Sequence, residues 1–268
     1  MGPKIKPFNG TYLICWGIAV ILIVAIGLLL KKKDEKAKKT FLVGLCVVNI
    51  IVFFVYKGFL SVDRDFLAKA EIEGGFNWFN ELPLQLCNIN MFLIPIGLLT
   101  KKRGILGFSF FLAPLGATMA LVFPEPAFQN EPLFMPRILG FYATHFLIVT
   151  AGISLATLGF FRPKFKDLPK VFLTLIVVSF GVHLVNLLLR ATGICSYANY
   201  FFTMEDGGVS LLKLFAKITT VPFIYMLPSL LILAVYMGII SLVFFVVDKL
   251  KGVGNKASET PEKETVNA

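Results

Sequence analysis

Apolar runs of about twenty residues recur along almost the whole chain, and no other feature limits its fold so strongly. A helix crossing the hydrocarbon layer of a membrane needs roughly 20 mostly apolar residues, rising about 1.5 Å per residue. Seven segments meet that requirement: Thr11–Leu30, Thr40–Leu60, Leu82–Leu99, Gly104–Phe123, Ile138–Phe161, Leu168–Leu189 and Thr220–Val247. Composition agrees with this reading, since 57% of the 268 residues are hydrophobic and only 16% are charged. Water-soluble domains carry roughly 45–50% apolar and about 25% charged residues. One aqueous core cannot hide so much apolar surface, which excludes a soluble enzyme. Recurrence of the runs excludes a single-pass anchor. The first run is longer than the apolar region of a secretory signal, and Lys31-Lys32-Lys33 follows it where a small-residue cleavage site would stand. It is expected to be a retained span.

The positive charges orient the spans. With the N-terminus outside, 17 of the 26 Lys and Arg residues fall on the cytoplasmic side, which is where positive charge accumulates. The expected fold is therefore an all-α membrane protein of the cell membrane. It is a seven-transmembrane-helix bundle with its N-terminus outside and its C-terminus cytoplasmic. Residues 1–250 form a single domain, and 251–268 are a disordered cytoplasmic tail, polar and poor in aromatics. The net charge of +10 matches this orientation and anionic headgroups. Nothing resembles a nucleic-acid module. The inner connections are short. The outer ones, 61–81, 124–137 and 190–219, are long enough to be functional. Within the last, Val209–Lys217 reads as a short interfacial helix. Small residues spaced as Ala113-x-x-x-Ala117 and Gly116-x-x-x-Ala120 suit close helix packing.

Polar residues inside the spans are few and grouped. No Asp, Glu, Lys or Arg lies near the middle of any span, where ion-coupled transporters usually place one. The third span carries Gln85, Cys87, Asn88 and Asn90; the fifth carries His145; the sixth carries His183 and Asn186. With alternating directions, Cys87, His145 and His183 all fall roughly 8–11 Å below the outer boundary. Cys87 and Asn90 share a helix face, as do His183 and Asn186. A thiol becomes a nucleophile beside a base, and an amide can orient that base or donate to an oxyanion. Cys87, His145 and Asn186 are thus candidate catalytic residues for acyl transfer through a thioester. Gln85, Asn88, Asn90 and His183 are the supporting or substrate-binding candidates. At that depth the reachable carbonyls are phospholipid esters. The same residues equally suit a structural layer of interhelical hydrogen bonds, or a binding and transport pocket for a small molecule or lipid. Cys15 and Cys46 read as apolar fillers, and Cys195 is a conceivable disulfide partner for Cys87. No metal site and no cofactor are expected. Membrane lipids are the expected partners, and the sequence leaves the oligomeric state open.

The run Leu82-Pro83-Leu84-Gln85-Leu86-Cys87, followed by the His145 helix and the Asn186 helix, resembles the YwaF family of bacterial integral membrane proteins, which has vertebrate relatives. The resemblance spans the second to seventh apolar runs. It implies a seven-span protein and, for the eukaryotic branch, acyltransferase activity on phospholipids. Carried over, Cys87 matches the candidate acyl acceptor, His145 the base and Asn186 the asparagine of the sixth span. Asn88 stands where many bacterial members resemble one another in having a charged residue.

Overall fold

The apolar runs fold as helices in the computed structural model, which describes residues 2–69 and 76–252. In chain order, the α-helices among the described residues are α1 (Gly10–Leu30), α2 (Glu35–Leu60), α3 (Arg64–Lys69), α4 (Asn90–Thr100), α5 (Arg103–Val122), α6 (Pro136–Thr157), α7 (Leu168–Ala191), α8 (Ser210–Ala216) and α9 (Ser229–Leu250). Six helical stretches, those containing α1, α2, α5, α6, α7 and α9, are long and apolar enough to cross a membrane. Helix starts follow local chemistry. The Asn9 side chain accepts from the Tyr12 N–H at 2.9 Å to cap α1, and Pro136 opens α6, where its missing N–H has no partner to lose.

α6 is the hub, packed against α1, α2 and α5. The most apolar stretch of α6 is 72% buried, against 6% for α1 and 11% for the stretch containing α9. The outer two helices therefore turn apolar side chains outward, as lipid contact requires. α2 and α6 approach closely at Gly140, where a Cβ would collide with the Cβ of Tyr56.

Polar contacts sort the connections to two ends of the bundle. At one end, β1 (Lys4–Ile5) pairs antiparallel with β2 (Glu131–Pro132). Arg137 reaches Asp63 at 2.6 Å, and Asn77 donates to the Ile194 carbonyl at 2.8 Å. The N-terminal segment and all three long connections thus meet there. At the opposite end, Arg103 grips Asp167 with bonds of 2.8 and 2.5 Å, and Arg162 pairs with Asp248.

Two expected spans take a different form. Leu82–Leu99 is helical only from Asn90, and residues 82–89 form turns. Pro83 disfavours helix at the residue before it. The Leu82 N–H donates to the Tyr200 hydroxyl at 2.9 Å, and the Gln85 side chain accepts from the Phe201 N–H at 3.1 Å. These loop partners hold the segment in turns, leaving α4 at 11 residues. The last run starts its helix at Ser229 rather than Thr220, because Pro222, Phe223 at φ 65° and Pro228 interrupt the approach. The interfacial segment forms α8, with Leu211 and Leu214 exposed. The expected tail lies outside the described residues from 253 onward.

Candidate active site

Cys87 sits in the turn that leads into α4. The turn is tight: the Ile89 N–H bonds back to the Gln85 carbonyl at 3.0 Å, and the Asn90 N–H to the Cys87 carbonyl at 3.2 Å. Asn90 adds a clamp, its side-chain amide donating to the Leu86 carbonyl at 2.7 Å. α5 backs the turn at Gly116, where a Cβ would lie 3.3 Å from the Cys87 nitrogen. Ala113 and Ala117, fully buried, pack against Cys87 together with Ile148 and Val149 of α6. The small-residue spacing read from the sequence therefore lets this non-helical turn press against α5.

His145 meets Cys87 from α6. The Cys87 Sγ lies 3.6 Å from His145 Nε2, and both residues are buried. On the far side of the ring, Nδ1 is 2.7 Å from the Phe141 carbonyl one helical turn earlier. A carbonyl only accepts, so Nδ1 carries the proton and Nε2 presents its lone pair to the thiol. The pair is thus arranged as S–H donor, imidazole acceptor and backbone carbonyl, the order a general base needs. Phe141 stacks on Phe128 with centroids 4.5 Å apart and lies 4.4 Å from the imidazole. Loop 124–137 thereby walls the site.

The backbone N–H groups of Cys87 and Asn88 lie in the same turn as the sulfur. Neither donates to a carbonyl among the described residues. The side-chain oxygens of Asn88 and Asn90 are buried and have no hydrogen-bond partner among the described residues. The Cys87 turn and the start of α4 therefore carry two backbone donors and two side-chain acceptors without hydrogen-bond partners among the described residues.

His183 and Asn186 gather elsewhere, around the Tyr200–Phe202 turn. The Asn186 Nδ2 donates to the Tyr200 carbonyl at 2.8 Å and to Thr203 Oγ1 at 2.9 Å, while its Oδ1 accepts from the Tyr200 N–H at 3.0 Å. His183 Nδ1 lies 3.1 Å from the same Thr203 hydroxyl. This network reaches Cys87 indirectly. The turn it holds is bonded to Gln85 through Phe201 and to Leu82 through Tyr200.

Lys57 and Glu81 were not singled out by the sequence reading. Lys57, in the last turn of α2, is buried, ion-paired with Glu81, and lies over the Tyr56 ring at 4.8 Å. The signal was present: a lone Lys one turn from a span end, and an acidic residue just before the Cys87 segment. The four cysteines are all free, so Cys195 does not bridge to Cys87. Among the described residues no group of three or more His, Cys, Asp or Glu side chains is placed to hold a metal ion.

No curated protein and no solved structure matches the chain. A family model does, over residues 7–245, and the chain, a multi-pass membrane protein, belongs to the TMEM164 family.

Proposed function

We propose that the protein is a Cys/His-dependent acyltransferase or esterase acting on phospholipid acyl groups in the outer leaflet of the cell membrane. In this reading α4 and the turn before it form a seventh, broken span. The N-terminus is outside, the C-terminus is cytoplasmic, and the end bearing the long connections faces outward. The observation that carries the proposal is the Cys87–His145 contact at 3.6 Å with the opposite ring nitrogen tied to a carbonyl. The eukaryotic branch of the group that the Leu82–Cys87 run resembles implies the same chemistry.

The steps follow from the arrangement. His145 Nε2 takes the Cys87 proton, and the thiolate attacks the ester carbonyl carbon of a phospholipid. The S–C bond forms as the carbonyl oxygen gains charge, and the N–H groups of Cys87 and Asn88, in the same turn, are the donors assigned to it. Collapse breaks the ester C–O bond, and His145 returns the proton to the departing lysophospholipid oxygen. The acyl group now rests on Cys87 as a thioester. A second hydroxyl, deprotonated by His145, attacks the thioester and regenerates the thiol. An alcohol gives transfer and water gives hydrolysis. Asn88 and Asn90 offer acceptors for the incoming hydroxyl. Gln85, His183 and Asn186 serve as positioning residues that hold the loop against the Cys87 turn. Thiol–imidazole acyl transfer of this kind needs no metal or redox group.

The test is reconstitution into liposomes with an acyl-labelled phosphatidylcholine donor and a lysophospholipid acceptor. The wild-type protein is expected to move or release the label. Cys87→Ala and His145→Ala, each verified as folded, are expected to lose that activity. A folded Cys87→Ala protein with undiminished turnover would overturn the proposal.

A further inference from the structure

A cleft opens beside the Cys87 turn, between α7, the start of α9 and the Tyr200–Phe202 turn. Its volume is about 150 Å³, and its walls include Leu86, Ile176, Phe201, Phe202, Phe223 and Leu230. Three polar residues also line it, Gln85, Ser179 and Ser229. Each already has a partner inside the protein. Ser179 donates to the Leu175 carbonyl at 2.7 Å, Ser229 to the Met226 carbonyl at 2.6 Å, and Gln85 accepts from Phe201 at 3.1 Å. The cleft therefore presents hydrocarbon to whatever enters. A cleft walled mainly by aliphatic and aromatic side chains favours an apolar ligand over a polar one.

The wall is also strained. Phe201, Phe202 and Phe223 have φ of 58°, 54° and 65°, in the left-handed region that bulky side chains rarely adopt. Surrounding bonds hold them there. Gln85 takes the Phe201 N–H, the Tyr225 hydroxyl donates to the Phe202 carbonyl, and the Phe223 N–H donates to the Thr203 carbonyl at 2.6 Å. Strain held in place by over-determining contacts marks ligand clamps. The effect of this strain is to set three aromatic rings along one apolar cleft. Gln85 and Leu86 lie in both the cleft wall and the turn that carries Cys87, so the cleft and the nucleophile share one backbone segment, although Cys87 itself faces α5 and α6.

We infer that this cleft binds a stretch of the fatty acyl chain of a membrane phospholipid and selects that chain for reaction at Cys87. The selection half of this inference rests on the acyl-transfer reading; the binding half does not. Two measurements keep them apart. In the first, purified protein is treated with p-nitrophenyl acetate and p-nitrophenyl decanoate, which share a leaving group and differ in chain length. Acylation of Cys87 is read by intact mass. The wild-type protein should favour decanoate, and Leu227→Trp, placed on a partly exposed residue of the cleft lining, should lower decanoate acylation about tenfold while sparing acetate. Equal behaviour of both esters in wild type and variant would overturn chain selection while leaving the thiol chemistry intact. If neither ester acylates Cys87 in the wild type, the nucleophile reading fails and the second measurement decides the cleft. There, a phosphatidylcholine with a diazirine in its acyl chain is photolysed with the protein. Label is expected on Leu86 or the buried Phe201, and is expected to disappear in Leu227→Trp. Label confined to lipid-facing residues of α1 and α9 would refute binding in the cleft.

Discussion

Replacing Asn186 by Leu removes the clamp on the Tyr200–Phe202 turn without touching Cys87 or His145. Asn186 is fully buried, and its amide makes three hydrogen bonds, at 2.8, 2.9 and 3.0 Å. Each is worth about 1 kcal/mol net, and the Tyr200 N–H and C=O would be left without their partner at an added cost of about 1 kcal/mol or more. The expected destabilisation is about 3–5 kcal/mol, which for a chain of this size lowers Tm by roughly 10 °C. The assay is thermal unfolding of the purified protein in detergent, with thiol labelling as a local readout. Cys195, 1% exposed, packs in one cluster with Tyr200, Phe201 and Ala198. Loosening the turn should expose it to a maleimide well below Tm. A Tm within about 2 °C of wild type, with Cys195 still protected, would refute the clamp. Asn186→Asp would set a buried carboxylate oxygen against the Tyr200 carbonyl, so at neutral pH it should destabilise at least as much as Leu.

Other perturbations have equally direct readouts. Lys57→Met leaves the half-buried Glu81 without its cation and should cost about 3 kcal/mol, read by thermal unfolding; adding Glu81→Gln should recover part of the loss, and an additive double variant would contradict the pairing. Burial alone would raise the Asp63 carboxyl, but the Phe66 N–H and the Arg137 guanidinium outweigh it and hold it below the ordinary carboxylate range. A depressed native pKa adds stability above the unfolded value of about 3.9 that is lost as pH falls through the folded value. Asp63→Asn should therefore lower Tm at neutral pH and flatten its fall below about pH 4. Gly140→Val forces side-chain atoms into Tyr56 across the α2–α6 contact and should lower Tm or abolish folded expression; a normal Tm would show that the helices can part there.

The apolar runs were readable because length and hydropathy alone decide which segments can lie in hydrocarbon, and α1, α2, α5, α6 and α7 start and stop close to where those runs do. The Leu82–Leu99 run was not, since its residues 82–89 are held in turns by Tyr200 and Phe201, more than 110 residues away in sequence. No local pattern encodes that. The same limit explains the polar residues. A shared depth anticipated that Cys87 and His145 could meet, because both enter from the same end of the bundle. Depth does not give rotation, and α7 is turned so that His183 and Asn186 bond to Thr203, a loop residue no span pattern marks. The base's orienting group was also invisible, because it is the Phe141 backbone carbonyl rather than a side chain.

The most direct test of the Cys87–His145 pair is the mass of the protein itself after incubation with a phospholipid donor. The account predicts an adduct of one acyl group on Cys87, removed by hydroxylamine, absent in Cys87→Ala and formed about 10²–10⁴-fold more slowly in His145→Ala. An unmodified Cys87 in a protein that still turns over lipid, or an adduct carried instead by Cys15, Cys46 or Cys195, would contradict it.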